Sequence, residues 1–135
     1  MDTATQSKEK TAVILEQWQT MRHWVNLYLN KLSDEDLAKE IFPGSNHGIW
    51  ILGHLIACED DIAPYIRNKA YLFKEYQKIF SSPAELQKPE LYPSALMLRE
   101  QWKEVCIQSE SILSALSDDE LDKGYYEIFE KQAGK

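Results

Sequence analysis

The sequence predicts an all-α protein, and three observations carry that expectation. Gly and Pro are absent from residues 1–42 and again from 94–123, so two stretches are free to form long helices. Apolar residues in those stretches recur at steps of three and four, the period of a helix with one buried face. The chain of 135 residues is 44% hydrophobic and carries four Trp, seven Tyr and four Phe, enough for one domain to bury a core without metal or disulfide staples.

The first helix is expected over about 6–32. Its stripe reads Ile14, Trp18, Met21, Val25, Tyr28, Leu32. Ser33 opens Ser-Asp-Glu-Asp, which suits the N-cap of a short helical turn running to Lys39. Pro43-Gly44-Ser45 then breaks the chain. A second helix is expected over about 46–68, capped by Asn46 and either kinked or ended early by Pro64. Residues 70–80 read equally as helix continuation or as an ordered connection. The stretch 81–93 holds three prolines and reads as an irregular crossover. A third helix is expected over about 94–116, with a stripe of Leu98, Trp102, Val105, Ile112 and Leu116, interrupted by Ser109.

A repeat organises these elements. Leu32-Ser-Asp-Glu-Asp-Leu-Ala-Lys39 resembles Leu116-Ser-Asp-Asp-Glu-Leu-Asp-Lys123, 84 residues later. One reading is two similar helix exits, since Ser followed by acids is common capping chemistry. The other is a duplicated helix–loop–helix unit. A duplication would open a fourth helix near Glu130 and put the counterpart of His54 at position 138, beyond Lys135. On that reading the fourth helix is missing or shortened, and a second chain is expected to cover the open face, as in a homodimer.

The formal charge of −7, with no basic patch, argues against nucleic acid and anionic membranes as partners. The two cysteines, Cys58 and Cys106, lack CxxC spacing and read as reduced thiols of a cytoplasmic protein. The first ten residues carry no secretion signal, and the longest apolar run, 49–57, is too short to span a bilayer.

The second helix gathers the residues with chemistry. His47, Trp50, Ile51, His54, Cys58, Asp61 and Tyr65 share one face. His47, His54 and Asp61 are seven apart, roughly 10 Å along the axis, so they cannot hold one metal together. Within the helix only His54 and Cys58, four apart, have the spacing of a ligand pair. Read without further context, His54 is a core histidine, Cys58 a small buried filler, His47 a surface or supporting residue, and Asp61 a solvated charge or a histidine's partner. His23 lies off the stripe and reads as surface. Gly53 costs about 1 kcal/mol relative to Ala inside a helix, which points to close approach of another backbone or a ligand.

The stretch Asn46-His-Gly-Ile-Trp-Ile-Leu-Gly-His-Leu55 resembles the second-helix signature of the DinB-like (DinB/YfiT) superfamily, in which a Trp and then Gly-His-Leu open a long helix. The long first helix and the two Leu-Ser-Asp exits resemble that family as well, so the similarity spans the whole chain. It implies a four-helix bundle holding a divalent metal, nickel or zinc, on three histidines. The family's second-helix histidine falls on His54, making His54 the expected metal ligand, with His47, Trp50, Cys58 and Asp61 as neighbours that support it or line a pocket. The other two ligands of the family form an H-x-x-x-H pair on the fourth helix, and no such pair is present in these 135 residues. The resemblance further implies a small-molecule substrate, with thiol transfer from a low-molecular-weight thiol to an electrophile, or metal-assisted hydrolysis, as the chemistry. Relatives are also called DNA-damage-inducible, which describes expression and predicts no DNA contact. The alternative function is a non-catalytic helical interaction or dimerisation module without the complete metal site.

Overall fold

A computed structural model of the chain describes residues 7–40, 44–81 and 85–122. Among these residues the regular structure is entirely helical. The long helix α1 spans Glu9–Lys31 and is followed by a single turn, α2, at Asp34–Leu37. α3 spans Gly48–Asp60, α4 Ile62–Arg67 and α5 Tyr76–Ile79. A 3₁₀ turn at Pro89–Leu91 leads into the second long helix, α6, at Ala95–Ala115. Residues 118–122 are again helical. The fourth helix expected near Glu130 lies outside the described residues.

The expected second helix is in fact two. Proline has no N–H to give the carbonyl four residues back, and its ring crowds that carbonyl. For Pro64 the carbonyl is that of Asp60, where α3 ends. The cap is also not Asn46: the His47 ring accepts from the Trp50 N–H at 3.1 Å and takes the N-cap role itself. α4 stops at Asn68, which adopts the left-handed conformation with φ of 54°.

α6 is the central helix. Its predicted stripe is buried, with Leu98, Trp102, Val105, Ile112 and Leu116 at 0–4% exposure, and Ser109 is buried among them at 1%. α1 runs antiparallel to it. Trp102 donates to the Asn26 amide oxygen at 2.8 Å, Arg99 donates to the Leu29 and Leu32 carbonyls, and Lys8 reaches the Ser114 carbonyl at the opposite end. α3 runs parallel to α6, since Ile49 and Ala95 border one hollow while Arg67 pairs with Glu120 at 2.7 Å at the far end. α1 and α3 therefore both rest on α6 with a groove between them.

The two copies of the repeat behave alike. Ser33 accepts from the Asp36 N–H while its own N–H donates to the Asp36 carboxylate, a capping box. Ser117 and Glu120 form the same reciprocal pair. Each exit then reaches the other long helix. Asp34 pairs with Arg99 near the start of α6 at 2.9 Å. Asp118 accepts from the Lys10 and Thr11 N–H groups, both at 3.0 Å, and from the Ser7 hydroxyl. α1 has no side-chain cap on its own N-cap residue, so Asp118 meets donors that a local cap would otherwise satisfy. Shifted by 84 residues, α1 falls on α6, so each of the two long helices is followed by a capped exit that bonds to the other.

The α1 stripe departs from expectation. Trp18 is buried at 8%, but Ile14, Met21, Tyr28 and Leu32 are 37–60% exposed. The side of α1 that meets α6 is rotated toward Thr11, Leu15, Trp18, Arg22 and Asn26. Of the predicted stripe, Val25, Tyr28 and Leu32 instead border the groove facing α3.

Candidate functional site

The site is built on α3 and on the connection that folds back over it. Asp60, fully buried, accepts from the backbone N–H groups of Leu72 and Phe73 at 3.0 and 2.8 Å. Those bonds turn the chain after α4 and deliver α5 to the flank of α3. Gln77 adds a bond from its side-chain amide to the Ala57 carbonyl at 2.9 Å. Phe80 is then placed against Gly53. A Cβ on Gly53 would sit 2.3 Å from two Phe80 ring carbons, so only glycine admits this packing. The close approach expected at Gly53 is therefore made by an aromatic ring, not by a backbone or a ligand.

This packing sets the state of His54. Its Nδ1 lies 2.7 Å from the Phe80 carbonyl oxygen, which can only accept, so Nδ1 carries the proton. In the neutral ring the lone pair is then on Nε2, which points toward Cys58 with Nε2 and Sγ 3.5 Å apart. Trp50 stacks on the imidazole at 4.8 Å between centroids and 9° between planes. A backbone carbonyl on one nitrogen and a stacked indole hold the ring so that Nε2 is presented outward, as outer-shell groups do for metal-ligating histidines.

The remaining predicted residues divide. His47 is buried at 1% rather than at the surface, and both ring nitrogens are engaged, Nδ1 by Trp50 and Nε2 as donor to the Gln87 carbonyl at 2.9 Å. It is an anchor for α3 and the crossover and has no lone pair left for a metal. Cys58 is exposed, not a buried filler. Desolvation of its sulfur, then the charges of Asp61 and Glu59, raise the thiol above its ordinary value. Asp61 turns to Tyr71, which donates to it at 3.1 Å, and is not brought to His54. Burial of that pair raises the Asp61 carboxyl and pushes the Tyr71 phenol up to about 12. His23 is exposed, as expected.

Two buried acids, Glu59 and the Asp60 described above, escaped the sequence reading. Glu59 is buried among α1, α3 and α6, where Trp18 Nε1 donates to it and Ser109 lies beside it. Burial raises its carboxyl, and the neighbouring Ser109 hydroxyl and the Trp18 hydrogen bond offset part of the effect. The same burial, followed by the Glu59 charge, pushes the Cys106 thiol up to about 12. Glu59-Asp60-Asp61 looks like a solvated acidic run. The available signal was spacing, since Leu52, Ile56 and Glu59 continue one stripe at steps of four and three.

Beside this face, α1 and α3 enclose a groove of about 270 Å³ lined by apolar side chains, among them Val25, Tyr28, Leu32, Ile51 and Leu55. Ile51 and Leu55 flank His54 along the helix. Among the described residues no three His, Cys, Asp or Glu side chains gather closely enough to hold a metal ion. The donors present, an oriented imidazole nitrogen and a neighbouring sulfur, nevertheless suit a borderline-soft divalent cation, each as one ligand of a set.

An imidazole locked from behind on α3, in a bundle whose described residues are regular only as helices, beside an open apolar groove, defines the class: a helical-bundle protein with a histidine-bearing site. The chain belongs to the DinB superfamily, whose family model matches residues 16–133. No curated protein matches it. No helix among the described residues is long and apolar enough to cross a membrane.

Proposed function

We propose that this chain is a divalent-metal-dependent DinB-like protein in which His54 Nε2 is a metal ligand. The observation that carries the reading is the bond from His54 Nδ1–H to the Phe80 carbonyl, which commits Nε2 to accepting a cation or a proton. A bound nickel or zinc ion would lower the pKa of a water or thiol beside it, supplying a nucleophile for thiol transfer to an electrophile or for hydrolysis. The protein's own contributions are orientation and exclusion of water. Phe80 and Trp50 fix the imidazole, and the groove along Ile51 and Leu55 takes the apolar part of a small substrate. Two free thiols fit a reducing, cytoplasmic setting. Elemental analysis of the purified wild type and of His54→Ala tests the reading. Near-stoichiometric nickel or zinc in the wild type, lost in the variant, is the expected result. Equal metal content in both removes His54 as a ligand.

A second reading, a helical module that docks a partner or a second copy of itself, is favoured by one observation. Tyr28, Leu32 and Ile51 border the groove at 60%, 42% and 45% exposure, an apolar edge left open among the described residues. A dimer by size-exclusion chromatography with light scattering, in protein that takes up no metal, would favour this module over the enzyme.

A further inference from the structure

We infer that Cys58 is itself a ligand of the cation at His54, making the centre a mixed nitrogen–sulfur site held from successive turns of α3. The inference rests on the reading of His54 above and adds a donor to it. A tetrahedral cation with a metal–nitrogen distance of about 2.0–2.1 Å and a metal–sulfur distance of about 2.3 Å needs its two donors about 3.5 Å apart. His54 Nε2 and Cys58 Sγ are 3.5 Å apart. No backbone movement is required, because residues four apart on a helix stand one above the other.

The surroundings agree with this role. Nδ1 of His54 is taken by Phe80, so the nitrogen facing the sulfur is the one with the lone pair. Trp50 keeps the ring from swinging away, while the exposed Cys58 leaves an approach from solvent. Without a cation the thiol holds its proton and the pair is a hydrogen bond. On coordination the sulfur's electron pair goes to the cation and the proton leaves to solvent. A thiolate beside an imidazole selects zinc, cobalt, nickel or copper and disfavours magnesium and calcium, which prefer oxygen. The other cysteine, Cys106, is buried on α6 and does not compete.

Anaerobic titration of the chain with Co²⁺, read by absorption, tests the inference. The expected result is a near-ultraviolet sulfur-to-cobalt charge-transfer band that saturates at about one equivalent. Cys58→Ser should abolish the band and Cys106→Ser should leave it. His54→Ala should weaken Co²⁺ binding by more than the roughly 10–100-fold that loss of an outer-shell partner costs. Cobalt bound without the band, with unchanged affinity in Cys58→Ser but lost in His54→Ala, overturns Cys58 ligation and leaves the His54 reading standing. No cobalt uptake by the wild type overturns both.

Discussion

Adding a single methyl group at Gly53 should destabilise this protein, although the same change in an ordinary helix would strengthen it. Ala is favoured over Gly inside a helix by about 1 kcal/mol. At Gly53 the new Cβ would meet Phe80 Cε1 and Cζ at 2.3 Å and Cδ1 at 2.5 Å. Ordinary carbon contacts begin near 3.5 Å, so ring and helix must separate by roughly 1 Å or more. Phe80 has nowhere to go. It is fully buried, lies against the Tyr92 ring and meets Tyr76 edge-on. Overpacking of this kind costs about 1–3 kcal/mol, and set against the helix gain the net loss is about 1 kcal/mol or somewhat more. For a chain of this size that lowers Tm by roughly 3–6 °C. Calorimetry of Gly53→Ala, alone and combined with Phe80→Leu, measures it. In the double variant most of the penalty attributed to Gly53→Ala should vanish, because the ring it strikes is gone. The same displacement should loosen the His54 Nδ1 bond, readable as a mixed tautomer in long-range proton–nitrogen spectra. A raised Tm in Gly53→Ala, or an equal penalty with and without Phe80, would refute the packing argument.

Two further outcomes follow from the carboxylates. Asp60→Ala strands the Leu72 and Phe73 N–H groups and should cost about 2–4 kcal/mol, with amide exchange accelerating first at residues 72 and 73. Denaturant melts combined with hydrogen exchange check it, and unchanged protection there would show that α5 is held by other means. Glu110 is bonded by Gln19 and Arg22, which hold its carboxyl below its ordinary 4.5. Its contribution is present above that value and lost as pH falls through the lowered one. The deficit of Glu110→Gln against wild type, taken from urea melts between pH 3 and 7, should therefore be largest at neutral pH and shrink on acidification. A deficit that grows toward acid contradicts the assignment.

How far the sequence could be read depended on what surrounds each stripe. α6 was legible because one face is covered by both α1 and α3, so the stripe Leu98, Trp102, Val105, Ile112 and Leu116 is buried while Leu96, Met97 and Ile107 off it stay exposed. α1 has the same periodicity, yet period alone cannot say which neighbour the stripe meets. Its later part, Val25, Tyr28 and Leu32, runs along the groove, while Arg22 and Asn26, polar by type, meet α6. The break at Asp60 follows from the proline four residues later, a local rule whose effect begins before the proline itself. At the site, His54 stood out through Gly53 and the family signature. The atom that orients it did not, because a main-chain carbonyl 26 residues away leaves no mark in the sequence. For His47, of the surface and supporting roles its position allows, the burial and the capping bond leave the supporting one, and Glu59 draws no notice because an acid among acids looks solvated.

The cap that Asp118 places on α1 makes the first turn of that helix wait for a residue more than a hundred positions later. A ribosome must extend the chain past residue 118 before the first turn of α1 can receive those hydrogen bonds. Until then its leading N–H groups have only water to serve them. α6 emerges just ahead of its own exit motif, so the long antiparallel pair and its seal become available almost together. A nascent chain arrested before residue 118 should therefore show α1 frayed at its start.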